Sequence, residues 1–177
     1  MKHNRELELV LQDRQWPYTY TDHERNIARS IVYDEDENFY FVRVERDDDF
    51  GKVSLIETAG GGVEAKEDVL TAVCREVKEE LGIQVKVICK IGIVRDYYNL
   101  LHRHNINHYF LCKVKSFGRK NLTQAERDSF HLSTLKLKYA DALDEYEHCA
   151  DTKLGKLIYN REMPVLRYAK EIMDTDR

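Results

Sequence analysis

The chemistry of this chain is concentrated in a charged run behind three glycines. Gly60, Gly61 and Gly62 lead to Glu67 and then to Arg75-Glu76-Val77-Lys78-Glu79-Glu80-Leu81-Gly82-Ile83. At about 100° per residue on a helix, Glu76, Glu79 and Glu80 fall within about 100° of arc. A solvated helix face usually offsets such acids with lysine or arginine four residues on. Here Glu76 meets Glu80 at that spacing, and Glu79 meets Ile83. Like charges so placed cost ~0.2–0.5 kcal/mol without a counter-ion. Two readings stay open from spacing alone: a solvated acidic face, or a carboxylate site for a hard divalent cation, Mg²⁺ or Mn²⁺. A metal held this way points to phosphate chemistry.

Such a site needs rigid elements around it. Leu70, Val73, Cys74, Val77 and Leu81 recur at helical spacing, so the helix, read over residues 66–81, packs one stripe on a sheet. Residues 53–58 read as a strand that runs into the glycines. A strand, a glycine loop and a helix in that order form a common anion-binding unit. No GxxxxGK[ST] follows, which excludes a P-loop. Residues 6–11 alternate in polarity. Residues 28–33 and 39–44 read as hairpin arms around the polar turn 34–38, and 46–51 as a solvated acidic loop. Residues 85–94 and 106–114 read as strands, 123–127 as a loop or short helical turn, and 134–139 as a short strand. Residues 140–149 and 164–173 read as helices, the second with Pro164 in its first turn. The order predicts an α/β fold with an antiparallel or mixed sheet between helices.

The run also resembles a known motif. Gly61, five residues, Glu67, seven residues, Arg75, Glu76, Val77, one residue, Glu79, Glu80, one residue, Gly82 and Ile83 fill every fixed position of the Nudix box. The resemblance extends over about residues 25–173. It implies a Nudix-like α/β/α sandwich and hydrolysis of a nucleoside diphosphate linked to another moiety. It implies that Glu76, Glu79 and Glu80 hold the metal, and that one of them or a later glutamate activates water. Glu67 and Arg75 match the ion pair that supports the loop-helix shape, and Gly61 matches the glycine that opens it. Glu126 lies where family members carry a mobile loop with a further acid, which makes it a candidate base or extra ligand beside the plainer reading of a solvated loop acid.

Substrate identity is less marked. The ADP-ribose-type members carry a proline some fifteen residues after the box, whereas no proline occurs here between Pro17 and Pro164. Tyr98, at about this distance, resembles the dinucleoside-polyphosphate group. Arg103, among His102, His104 and His108, is a candidate phosphate contact. A nucleoside triphosphate or related nucleotide leads. A dinucleoside polyphosphate or nucleotide sugar is the alternative, and a non-catalytic nucleotide-sensing module is the non-enzyme reading.

Composition sets the frame. The 177 residues suffice for one domain with its own core, read as an extension (1–24) and a core (25–173). A net charge of −4 provides no basic stripe for nucleic acid. No apolar run is long enough to span a membrane and no signal-like segment opens the chain, so a cytoplasmic protein is expected. The four cysteines form no CxxC and read as buried thiols. The N-terminal segment is a candidate homodimer contact.

Overall fold

Alternating apolar residues at 27–33, 39–44 and 83–98 build a sheet with two covered faces. The computed structural model describes residues 5–175. Its strands are β1 (Leu7–Leu11), β2 (His23–Tyr33), β3 (Phe39–Asp48), β4 (Gly51–Glu57), β5 (Gly60–Gly62), β6 (Ile83–Tyr98), β7 (Arg103–Phe117) and β8 (Ser133–Leu137). The helices are α1 (Val69–Leu81), α2 (Gln124–Asp128), α3 (Tyr139–Cys149) and α4 (Lys153–Thr175). The strands join one sheet in the order β1-β6-β7-β2-β3-β4, with β5 on β2 and β8 on β3. β1 runs parallel to β6 and β2 parallel to β7, while the other pairs are antiparallel. The sheet is therefore mixed, as expected.

Each face has its own core. Ala72, Val73, Val77 and Leu81 of α1 pack on Ala28, Val32, Tyr40, Val42, Phe110 and Cys112. On the other face Tyr146 of α3 and Leu154, Ile158, Val165, Leu166 and Ala169 of α4 pack on Ile31, Phe39, Phe41, Leu55, Tyr109 and Leu111. This is an α/β/α sandwich.

Several boundaries differ from the sequence reading for physical reasons. α1 begins at Val69, because Asp68 caps it by accepting from the Thr71 N–H at 2.7 Å. Lys66 sits in the loop before it with φ +67°. The acidic segment 46–51 is largely the tip of a hairpin, with β3 and β4 paired out to Asp48 and Gly51. The last helix starts at Lys153, so Pro164 lies in its interior. It continues through the proline because Leu154, Leu157, Ile158, Arg161 and Glu162 are already buried before it. Residues 7–11, read as part of an extension, supply the β1 edge of the sheet. Residues 1–4 of that extension lie outside the described residues. Cys112 and Cys149 are buried and Cys89 is half-buried, but Cys74 is exposed. Among the described residues no helix is long and apolar enough to cross a membrane.

Candidate active site

The site forms where the short glycine strand β5 meets α1. β5 pairs with β2 through Ile27–Gly62, Ala28–Gly61 and Arg29–Gly60. A Cβ on Gly61 would sit 2.4 Å from Glu76 Oε1. Only glycine lets the carboxylate approach the strand so closely. Gly82 ends the helix in the left-handed region at φ +69°, its N–H donating to the Lys78 carbonyl.

α1 does not separate its carboxylates from its apolar face as the spacing suggests. Leu70 and Cys74 are exposed, and the buried stripe is Ala72, Val73, Glu76, Val77, Glu80 and Leu81. The helix is rotated so that Glu76 and Glu80 point inward at the glycines. Glu80 accepts the Gly60 N–H at 2.8 Å. Glu79 remains one-third exposed.

Desolvation raises the pKa of both inward acids. For Glu76, burial pushes the carboxyl up, Arg75 pulls it back, and Glu79 and Glu126 push it up again. For Glu80 burial dominates. The Gly60 N–H offsets it only in part, while Glu76 and Glu126 add to it, so the value lies well above the carboxylate range.

Arg75 is the cation that this cluster already holds. Its Nε and Nη2 fork onto Glu67 at 2.8 and 3.0 Å, and Nη2 also donates to the Gly62 carbonyl at 3.1 Å. Glu67 accepts the Glu64 N–H as well. The fork from Arg75 leads the effects that lower Glu67 to about 2. The resemblance pairs the same two residues. In addition, Nη1 reaches Glu76 at 2.7 Å and Glu79 at 3.2 Å. Glu67→Gln therefore weakens the brace and frees Arg75. We expect turnover to fall about 10–100-fold with a lower melting temperature. Wild-type kinetics and an unchanged melting curve together refute the role.

Glu126 is brought into the same place. The backbone N–H groups of Gly118 and Asn121 donate to the carbonyls of Gly82 and Glu79, tying the following segment to the end of α1. Thr123 then caps α2, and Glu126 accepts the Thr123 N–H at 2.7 Å. A cleft of about 560 Å³ opens among Arg25, Glu64, Glu76, Glu79, Asn121 and Glu126. A larger one, about 670 Å³, runs along the outer side of α1 past Leu70 and Cys74. It shares Arg75, Glu79 and Asn121 with the first but does not reach Glu76, so the smaller cleft is the chemical one.

The donor set suits a hard cation: two desolvated carboxylates, Glu76 and Glu80, face a strand without side chains, and Glu79 lines the cleft beside them. Among the described residues no three His, Cys, Asp or Glu side chains stand converged as a finished cage. Arg75 occupies Glu76 and Glu79 instead.

The remaining candidates fare differently. Tyr98 is buried, and its hydroxyl accepts from Arg161 Nη1 at 2.8 Å. Arg103 sits on β7 with its guanidinium 5.5 Å over the Tyr98 ring. His102 stacks on Tyr20 and His104 on Tyr97. Arg25 and Asn121 line the cleft without having been singled out. A lone polar residue near the start of a strand or in a loop carries no periodic signal.

The sequence profile of the NUDIX domain family matches residues 23–148. No curated protein matches the chain in sequence. Among solved structures, a NUDIX hydrolase from Nitrosomonas europaea superposes with a TM-score of 0.58 at 15% identity, over 70% of this chain and 78% of that one. A MutT NUDIX hydrolase from Burkholderia pseudomallei gives 0.55 at 21% identity, over 70% and 87%. The E. coli ORF135 protein gives 0.58 at 19% identity, over 87% and 93%. These likenesses show the fold.

Proposed function

This chain belongs to the NUDIX hydrolase family, and from that premise we propose that it cleaves a pyrophosphate bond in a nucleoside diphosphate linked to another moiety, with Mg²⁺ or Mn²⁺ held by Glu76, Glu79 and Glu80. One observation carries the reading. Glu76 and Glu80 are buried against the glycine strand, and burial raises both carboxyls above their ordinary range. When bound, the cation neutralises charge on the phosphate oxygens and makes bound water more acidic.

The chain's own residues do the rest. Glu67 and Arg75 fix the loop between β5 and α1. The Gly60 N–H orients the Glu80 carboxylate. Glu79, the most exposed of the three acids, faces the cleft opposite Glu126. Glu126 is held by its own helix cap and is placed to take a proton from water. In this proposal residues 1–177 act as one domain. A nucleoside triphosphate or related nucleotide is the leading substrate.

A panel of (d)NTPs, ADP-ribose, sugar nucleotides and dinucleoside polyphosphates, run with Mg²⁺ and with Mn²⁺, tests this. Release of a nucleoside monophosphate or inorganic phosphate from at least one member is expected. Tight nucleotide binding without turnover of any member, in folded metal-supplied protein, favours the sensing module instead.

A further inference from the structure

β7 carries two buried asparagines on one face, and only one has partners. Asn107 is satisfied: its Nδ2 donates to the Val94 carbonyl at 3.0 Å and to Asp96 at 2.8 Å, and its Oδ1 accepts from Arg29 Nε at 2.9 Å. Asn105 lies two residues earlier on the same face and is fully buried. Neither its Nδ2 nor its Oδ1 has a hydrogen-bond partner. A buried amide left unpaired on both atoms is costly, and native proteins rarely keep one without a use.

Its neighbours indicate the use. Asn105 is in register with Arg25 on β2, and Arg103 is next along its own face. Arg103 also has a buried, unpartnered Nε. Burial first, and then repulsion from Arg25 and Arg29, depress its guanidinium. Among the described residues no carboxylate lies within ion-pair distance of Arg25 or Arg103. Asp96, the register partner of Asn105 on β6, is already committed to Arg161 and Asn107. Two guanidiniums and an amide thus share one place with no anion of their own.

This place adjoins the carboxylates across the glycine strand. Gly61 faces Glu76, while Gly60 and Gly62 face Arg29 and Arg25: added Cβ atoms would meet the Arg29 side chain at 2.9 Å and the Arg25 Nη2 at 2.9 Å. Arg25 lines the acidic cleft as well. The acids and the arginines thus lie on opposite faces of β5, and a substrate rounding the strand at Gly62, where the cleft reaches Arg25, has one end at each.

We propose that Arg25, Arg103 and Asn105 form the subsite for a phosphoryl group of the substrate that is not attacked, together with the sugar hydroxyl beside it. This rests on the pyrophosphohydrolase reading. A neutral base edge would satisfy the amide but leave the two arginines repelling each other. A phosphoryl group relieves both. An incoming anion draws the guanidiniums onto itself and uncovers the amide between them. Asn105 Nδ2 then donates to phosphate and Oδ1 accepts from the hydroxyl.

The probe is ADP, titrated by calorimetry into the full chain in EDTA, so that the acidic cluster contributes no metal bridge. Arg103→Gln and Asn105→Leu are each expected to weaken ADP about tenfold. Arg103→Lys recovers part of the loss. In hydrolysis of whichever panel substrate turns over, the loss falls mainly in KM. Asn105→Leu also raises the melting temperature, because an orphaned amide gives way to an apolar group of like size. Arginine-dependent ADP binding in a wild type that hydrolyses nothing upholds the subsite while ending the hydrolase reading. No ADP binding by the wild type, undiminished binding in both variants, or a lower melting temperature for Asn105→Leu overturns the subsite.

Discussion

Glu80→Gln lowers turnover on the order of 10³-fold, corresponding to about 4 kcal/mol of transition-state stabilisation lost with a metal ligand. It raises the stability of the metal-free protein at the same time. Glu80 is buried beside Glu76, and among the described residues only the Gly60 N–H donates to it. The amide oxygen of glutamine still accepts that N–H, and the desolvated charge is gone. A gain of 1 kcal/mol appears as about 2–4 °C in a chain of this size. The pH dependence follows from the direction of the shifts. Glu80 and Glu76 have folded pKa values above their unfolded ones, so the native state binds more protons. Their contribution to metal-free stability is greatest at low pH and is lost as pH rises from about 4.3 through the raised folded values. Removing one of the two acids flattens that loss. Added Mg²⁺ raises the wild-type melting temperature at neutral pH and raises that of Glu80→Gln much less. Melting curves across pH, with and without Mg²⁺, beside steady-state rates, check all of it. Wild-type turnover in a folded Glu80→Gln protein removes Glu80 from the site.

The difference between the carboxylates as spaced in sequence and as packed is instructive. The 3.6-residue period places the helix but not its rotation, because Leu70 and Cys74 count as apolar whichever way they face. The structure exposes both and turns Glu76 and Glu80 inward. Periodicity weighs polarity, whereas the buried position of these acids depends on three glycines that leave them room. The loop brace was legible because an Arg–Glu fork is made by residues within one short segment. The cleft wall was not. Arg25 and Asn121 come from β2 and the segment before α2, which only the folded chain brings together. The last helix was half legible for a similar reason. Arg161-Glu162 interrupts the apolar pattern just before Pro164, yet both residues are fully buried.

Arg161→Met is therefore expected to have the largest effect on stability. Arg161 lies inside α4 and reaches Tyr98 at 2.8 Å, Glu162 at 3.1 Å, Tyr109 at 3.2 Å and Asp96 at 3.3 Å. Glu162 in turn accepts from Thr58 N–H at 2.8 Å, Thr58 Oγ1 at 2.7 Å and Tyr146 at 2.7 Å. Burial alone would push the Glu162 carboxyl up. Arg161, Arg29 and these donors outweigh it and hold the carboxyl below its ordinary range. Removing the arginine leaves Asp96 without its ion pair and Glu162 short of a partner. Truncating one member of a buried ion pair costs about 3–5 kcal/mol, or on the order of 10 °C here. In many buried pairs, replacing both charges with apolar groups recovers the loss. Here it does not, because Glu162 also serves Thr58, Tyr109 and Tyr146, and their hydroxyls and the Thr58 N–H become orphans in turn. The double variant Arg161→Met/Glu162→Leu is expected to be no more stable than Arg161→Met. Activity falls with it, because Thr58 is two residues before Gly60 and Glu162 fixes where the glycine strand begins. Below their melting temperatures, both variants should show a lower kcat on the same substrate, although α4 touches none of the three acids. A double variant as stable as wild type reduces the network to an ordinary ion pair. A destabilised variant with wild-type kcat severs the link from α4 through Thr58 to the acids.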